Sequence, residues 1–148
     1  FAEGEFDVVW TEHVQMNIVD KRAFYGELAR VLKRGGRLVF HDIFAGSGGA
    51  VHFPVPWAET PDISFLAAPD EAFGIVEALG LRFTERADRT PQATAWFEAT
   101  LERIRQSGPP PLGIHLLMGP SARVKFGNML RNLQEARIAV WQAVAQKA

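Results

Sequence analysis

The sequence contains no cysteine among its 148 residues. It can therefore form neither a disulfide framework nor a thiolate metal site, and a reducing compartment suits it. No apolar run approaches the roughly 18 residues that a membrane-spanning helix needs. The formal net charge of −1 excludes the global positive field that attracts nucleic acid. We therefore expect a cytoplasmic protein that binds no nucleic acid.

The chain also lacks an initiator methionine. It starts at Phe1 and enters a β-branched apolar run almost at once, as the middle of a protein would. We therefore expect the chain to be one part of a longer protein.

Strand, helix and strand signals follow one another in the first third of the chain. The β-branched run at 5–10 predicts a strand buried on both faces. Residues 20–36 predict an amphipathic helix with Asp20 as its N-cap and Gly35 as its left-handed C′ residue. A second strand is predicted over 37–44. This order and spacing indicate a βαβ crossover in a parallel sheet.

The remaining two thirds continue the alternation of helices and strands. Three prolines and three glycines make 45–67 a long loop, and loops of that length are often functional. Beyond it the patterns predict a helix at 69–80, a strand at 81–87, helices at 91–108 and 120–136, and a strand at 137–146. The last strand rests on the alternation of Ile138, Val140 and Val144.

The glycine-rich segment "GSGG" (46–49) follows directly after a strand that ends in His41 and Asp42. A phosphate-binding loop needs a helix N-terminus after its glycines. Here "AVHFPVPW" follows, and its two prolines forbid a helix. The alternative is that the strand carries polar groups to the carboxyl edge of the sheet, where ligands of parallel sheets bind. The segment at 10–17 reaches the same edge after the first strand.

Several segments together resemble the class I S-adenosylmethionine (SAM) dependent methyltransferases. They are "FDVVW", "ELARVLKRGGRLVFHD", "HFPVPWA", "EALGLRF" and "NMLRNLQEARIAVWQAV". The resemblance covers nearly the whole chain and is strongest to the group with ubiquinone-biosynthesis enzymes and sarcosine or dimethylglycine N-methyltransferases. Lys33 and Arg34 stand where that family usually has a proline before its glycines.

The family's acidic, glycine-rich cofactor turn is absent from this sequence. The resemblance therefore implies an α/β, Rossmann-like fold of which residues 1–148 supply the carboxyl-terminal part of one domain. In a sheet ordered 3-2-1-4-5-7-6, this part holds strands 4-5-7-6. It also implies SAM as cofactor, S-adenosylhomocysteine as product, and 45–67 as a loop that covers the substrate.

Methyl transfer is an in-line displacement in which the protein aligns the reactants and excludes water. An amine acceptor must also lose a proton, and His13 is the residue that we expect to take it. A histidine that only bonds a loop carbonyl is the alternative. Thr11 and Glu12 are expected to contact the cofactor. Glu12 and Asn17 are also candidates to orient the acceptor, and the alternative for both is a solvated residue on the approach to the helix.

Further substrate contacts are expected on both sides of the glycine-rich segment. Asp42 either accepts from the acceptor or caps backbone N–H groups of the turn that follows it. Trp57 either seats a cationic amine or fills the core below the loop. The other expected substrate contacts are Trp10, His52 and Met118.

The four histidines lack the short spacings of a zinc motif, so we expect no metal. The expected activity of the parent protein is SAM-dependent methylation of a small molecule, either an amine, a hydroxyl or a ring carbon. The isolated chain is expected to be inactive. Two alternatives remain, namely a non-catalytic interaction domain and another doubly wound enzyme.

Because the first strand would lie at a sheet edge, we expect a homo-oligomer or association with the missing amino-terminal half.

Overall fold

A computed structural model describes the whole chain, Phe1–Ala148, and the chain divides into two compact units. The sheet unit comprises Phe1–Ala45, Phe65–Arg89 and Val140–Ala148. The helical unit comprises Gly46–Ser64 and Thr90–Ala139.

The chain leaves the sheet unit twice, and each excursion is closed at its base by one backbone hydrogen bond. At the first excursion the N–H of Ala45 donates to the carbonyl of Ala67 at 2.9 Å. At the second the N–H of Arg89 donates to the carbonyl of Val140 at 2.8 Å. Each excursion therefore starts and ends at neighbouring points of the sheet unit.

Four strands form one sheet in the order β1-β2-β4-β3. β1 and β2 are parallel, whereas β3 and β4 are antiparallel. This order is the predicted 4-5-7-6 half of a class I methyltransferase sheet, and the α/β class is confirmed. The strands are Phe6–Glu12 (β1), Leu32–Ala45 (β2), Leu81–Asp88 (β3) and Ile138–Lys147 (β4).

The prediction that the first strand is buried on both faces is wrong. β1 lies at the edge of the sheet, where only β2 pairs with it. Its side chains alternate between the two faces: Val9 packs on the core and Thr11 is buried, whereas Val8 is 56% and Trp10 70% exposed. The association expected at this edge stays a prediction.

The first helix, α1 (Lys21–Val31), begins as predicted and ends five residues early. The carboxylate of Asp20 accepts from the N–H of Ala23 at 2.8 Å and caps it. The chain turns into β2 at Leu32 because that residue already pairs with Phe6 of β1. Strand pairing therefore takes the residues that helix periodicity had assigned to the last turn.

Gly35 has the positive φ expected of it, +74°, but inside β2 rather than at a helix end. The register with β1 shifts between Leu32 and Arg37, so the intervening residues form a bulge. Within the bulge the ammonium of Lys33 pairs with the carboxylate of Asp7 on β1 at 2.8 Å.

Of the four remaining helices, all but one follow the sequence prediction closely. They are α2 (Pro69–Ala78), α3 (Thr90–Ser107), α4 (His115–Met118) and α5 (Ala122–Gln134). The sequence did not indicate the short α4. No helix combines the length and the apolar composition that crossing a bilayer requires.

β4 confirms the predicted last strand and changes its inner face partway along. Ile138 and Val140 are buried as expected, but Val144 is not. Ala143 and Ala145 are buried instead. The buried positions therefore change parity between Val140 and Ala143, although Trp141, Gln142 and Ala143 pair with β3 in continuous register.

An aromatic cluster forms the core of the sheet unit. Phe40 and Phe44 of β2 lie on one side of it, Phe73 of α2 and Tyr25 of α1 on the other. Full burial of a phenylalanine contributes about 1.5–3 kcal/mol of folding free energy. This cluster fixes β2, and so it fixes the carboxyl end at which β2 carries its polar residues.

Candidate functional site

The carboxyl ends of β1 and β2 meet at one edge of the sheet unit. The parallel register places Glu12 opposite His41. Thr11 and His13 flank Glu12 along β1, and Asp42 follows His41. The structure therefore brings together the polar residues that the sequence predicted to share this edge.

His13 occupies a backbone conformation that is uncommon for a residue with a side chain. Its φ is +52°, in the left-handed region. Its N–H donates to the carbonyl of His41 at 3.0 Å, and the rings of the two histidines meet edge to face at 5.2 Å. Its Nε2 lies 3.9 Å from a carboxylate oxygen of Glu12, and the side chain is about half exposed. Strained backbone of this kind is concentrated at functional sites.

His41 is the more buried histidine of the pair. Burial lowers its pKa, and the neighbouring His13 lowers it further. Lowering from an ordinary value of 6.5 keeps the His41 ring neutral at pH 7. A neutral ring can accept a proton but cannot donate one as an acid.

Asp42 is fully buried, and its carboxylate accepts three backbone N–H groups. One oxygen accepts from Val14 and Gln15 at 3.2 and 3.1 Å, and the other accepts from Ile43 at 2.9 Å. Burial raises the pKa of Asp42, and these N–H groups oppose the rise. Of the two predicted roles, the contacts support capping. Two of the three N–H groups, however, follow β1, and only that of Ile43 belongs to the segment directly after Asp42.

Gln15 and Lys21 complete the floor of the site, and the sequence analysis missed both. Gln15 is fully buried; its side-chain N–H donates to the carbonyl of Ile43, and its Oε1 has no hydrogen-bond partner. The buried ammonium of Lys21 donates to the carbonyls of Gln15, Ile18 and Phe65. Burial lowers the Lys21 pKa. No sequence pattern marks either residue, because their partners are backbone carbonyl groups, which every residue type carries.

Trp10 and Asn17 are predicted substrate contacts that bracket this segment. Both side chains are exposed. Asn17 ends a 3₁₀ turn at Gln15–Asn17, and its N–H donates to the carbonyl of Val14. Neither residue has a packing role that would fix its side chain, so both remain candidates for ligand contact.

The glycine-rich segment belongs to the helical unit and packs against the turn after α5. The N–H of Gly46 donates to the carbonyl of Arg137, and that of Gly48 to the carbonyl of Ala136. A Cβ on Gly46 would overlap the carbonyl oxygen of Ala136, and one on Gly48 that of Glu135. These glycines therefore permit the close packing of one backbone segment on another.

The predicted cover loop is tied to one face of α5. Asn132 accepts from the N–H of His52 at 2.8 Å and donates to the carbonyl of His52 at 3.0 Å. The ring of His52 bonds Glu135 at 2.8 Å. Asn128 donates to the carbonyl of Pro54 at 2.9 Å. Asn128, Asn132 and Glu135 recur at helical spacing, so they line one face of α5.

Farther along the loop, Glu59 pairs with the buried ammonium of Lys125 at 2.5 Å. The indole N–H of Trp57 donates to the hydroxyl of Ser64 at 2.9 Å, and the side chain is half-buried. The carbonyl of Met118 accepts from Lys125. His52, Trp57 and Met118 thus all lie in the helical unit.

Three hydrogen-bond donors around Glu135 set its charge state. Hydrogen bonds from Arg131, Arg137 and His52 lower its pKa from 4.5 to about 2. The carboxylate is therefore ionised throughout the physiological range.

Nowhere in the structure do three or more histidine, aspartate or glutamate side chains come together in a way that could hold a metal ion.

Comparisons with known proteins bear on the family. A profile described as "Methyltransferase domain" matches residues 1–40. The dimethylglycine N-methyltransferase of Parasynechococcus marenigrum (strain WH8102) is 28% identical over 105 residues, which are 71% of this chain and 36% of that protein.

Solved structures match almost the whole chain. Phosphoethanolamine N-methyltransferase 2 of Haemonchus contortus, in complex with phosphomonomethylethanolamine and S-adenosylhomocysteine, superposes with a TM-score of 0.77 at 16% identity. The chain has the class I methyltransferase fold. The geranyl diphosphate C-methyltransferase of Streptomyces coelicolor A3(2) gives a TM-score of 0.72, also at 16% identity. The resemblance predicted from the sequence is therefore confirmed.

The methyltransferase fold of this chain is a partial one. The two superpositions cover 99% and 100% of this chain, but 35% and 48% of the respective methyltransferases. The chain thus spans less than half the length of either. It carries the strands at whose carboxyl ends Glu12, His13 and His41 meet.

Proposed function

We propose that the protein carrying this chain transfers a methyl group from SAM to a small-molecule acceptor, with an amine as the favoured acceptor. One observation carries the proposal: Glu12, His13 and His41 meet at the carboxyl ends of two parallel strands in a class I methyltransferase fold. Ligands of open parallel sheets bind beyond this edge. The matched profile and the matched relative support the reaction class.

The residues at this edge fit a cofactor that carries a positive charge. Glu12 presents a half-exposed carboxylate, and its neighbour in β1, Thr11, is buried. When bound, SAM supplies a methyl group that its sulfonium has already activated. We assign Thr11 and Glu12 to cofactor contact, with the Glu12 carboxylate attracting the sulfonium charge.

In this proposal His13 takes the proton that an amine acceptor must lose. The His13 ring is half exposed, so an acceptor can reach it. His41 is neutral at pH 7 and therefore does not repel a proton arriving on His13. The Glu12 carboxylate, 3.9 Å away, stabilises the imidazolium that forms.

The relatives and the aromatic residues support an amine as the acceptor. Two of the matched proteins are named as N-methyltransferases and one as a C-methyltransferase, so an amine is favoured. We assign Trp10, Asn17, His52, Trp57 and Met118 to substrate contact. A tryptophan ring such as that of Trp57, which is half-buried in the cover loop, suits a cationic or methylated amine. The carboxylate of Asp42 accepts from backbone N–H groups, so we assign it to holding the backbone around the site in place.

Titration of the full-length protein that carries this chain with SAM, followed by a methyl-transfer assay with radiolabelled SAM, tests the proposal. The acceptors are dimethylglycine, phosphoethanolamine and geranyl diphosphate. We expect SAM to bind, and an amine to be methylated. Glu12→Gln should weaken SAM binding, whereas Glu3→Gln, an exposed control, should not. A protein that does not bind SAM would overturn the reaction class, and transfer only to carbon would overturn the amine.

A further inference from the structure

A groove in the helical unit has no part in the proposed methyl transfer. It lies among α3, α4 and α5 and the proline-containing segment between α3 and α4, and its volume is about 730 Å³. Small-molecule sites typically measure roughly 300–1,000 Å³. The groove is therefore large enough for a ligand of ordinary metabolite size.

The wall of the groove is mainly apolar. Leu101 and Ile104 of α3 line it at half-buried positions, and Phe126 of α5 lines it at a buried one. Trp96 lines it as well and is 55% exposed, although water-exposed tryptophan is unfavourable without a partner. An alkyl or isoprenoid chain would remove this surface from water.

The charged residues of the groove are of one sign. Arg103, Arg105 and Arg123 line it together with His115, and no carboxylate lines it. Arg105 is paired with Glu102 at 2.7 Å, whereas Arg103 and Arg123 are not among the arginines that form ion pairs. Two guanidinium groups are therefore free to bind an anion, and guanidinium binds carboxylates and phosphates with paired hydrogen bonds.

We infer that this groove binds a single-chain amphiphile, with the chain on the apolar wall and an anionic head on Arg103 and Arg123. The head is a phosphate or a carboxylate, either of which the guanidinium groups accept. The inference does not rest on the proposed function, because it concerns binding alone.

Calorimetric titration of the full chain with octyl phosphate and decyl phosphate, below their micelle concentrations, tests the inference. The decyl compound should bind about tenfold tighter, because two added methylenes enter apolar surroundings. Inorganic phosphate alone should not bind measurably. Equal affinity for decyltrimethylammonium would overturn the inference, because the groove would then not select an anion.

The double variant Arg103→Gln/Arg123→Gln locates the head group. Both residues are exposed, so the variant should fold, and its affinity for decyl phosphate should fall by about tenfold. Arg82→Gln, an exposed arginine of β3 outside the groove, is the matched control and should change nothing. Unchanged affinity in the double variant would overturn the assignment. So would binding to vesicles of anionic lipid without binding of the free amphiphile, since Leu112 and Leu117 are also exposed.

Discussion

The backbone N–H of His13 donates to the carbonyl of His41 at 3.0 Å, and the two imidazole rings meet edge to face. One hydrogen bond thus continues the β1–β2 ladder beyond the end of β1, at Glu12. It also holds His13 in its left-handed conformation, with φ at +52°. The backbone of the neighbouring strand therefore determines where the proposed base stands.

His13→Asn separates the ring of His13 from its backbone conformation. Asparagine tolerates the left-handed region better than most residues, so the fold should survive. If His13 is the proton acceptor, the methyl-transfer rate should fall by roughly 10²–10⁴-fold, with SAM affinity unchanged. The measurement is the initial rate across pH 6–9, with His115→Asn, at a histidine outside the proposed methyl-transfer site, as the control that should keep the parent's rate. An undiminished rate would assign His13 to the turn alone.

Asp42→Asn tests the cap below the site. An amide has one acceptor oxygen where the carboxylate has two, and its NH₂ group would face a backbone N–H. We expect the free energy of unfolding to fall by about 2–3 kcal/mol. Urea unfolding measures it, with Asp7→Asn as the exposed control that should leave the midpoint nearly unchanged. Equal midpoints for Asp42→Asn and the parent would mean that the three hydrogen bonds contribute nothing net.

Glu135 gives the stability of the protein an acid dependence. Its pKa in the folded chain is about 2, below the ordinary 4.5, so its ionised form stabilises the fold above pH 4.5. This contribution is lost as the pH falls from 4.5 towards 2. The difference in stability between the parent and Glu135→Gln should therefore shrink across that window. Glu77→Gln, an exposed glutamate of α2, should follow the parent, and a pH-independent difference for Glu135→Gln would contradict the prediction.

Ala136→Gly should stabilise the protein. Ala136 follows α5 with φ at +52°, where glycine is the usual residue. Glycine relieves the strain of the left-handed conformation but has more conformational entropy in the unfolded chain. The net gain in the free energy of unfolding should be about 0.5–1 kcal/mol. Thermal unfolding measures the change. Ala99→Gly, within α3, should have the opposite sign, and a lower melting temperature for Ala136→Gly would contradict the prediction.

The fold was predictable where local patterns agree with the tertiary structure. The cap at Asp20 and the left-handed Gly35 both follow from residue type, and both are present. The end of α1 was not predictable, because pairing of Leu32 with Phe6 takes precedence over helix periodicity. The inner face of β4 was likewise not predictable, because Ala143 and Ala145 are buried where the apolar alternation had indicated Val144.

The candidate site was predictable as a location and only partly as a set of contacts. Glu12 and His13 were found because parallel strands end at a common edge. The environments of Gln15 and Lys21 were not, because each is fixed by carbonyl groups that carry no mark in the sequence. The two roles open to Asp42 could be separated only by seeing which N–H groups surround it.

The two hydrogen bonds at the bases of the excursions, Ala45 to Ala67 and Arg89 to Val140, have an evolutionary consequence. Insertions are tolerated best where their two ends lie close together. The helical unit can therefore be exchanged as a pair of cassettes while the strands keep their pairing. Grafting 46–64 and 90–137 from a relative would replace His52, Trp57 and Met118 and leave the four strands unchanged. Divergence of these three proposed substrate contacts therefore needs no alteration of β1 or β2.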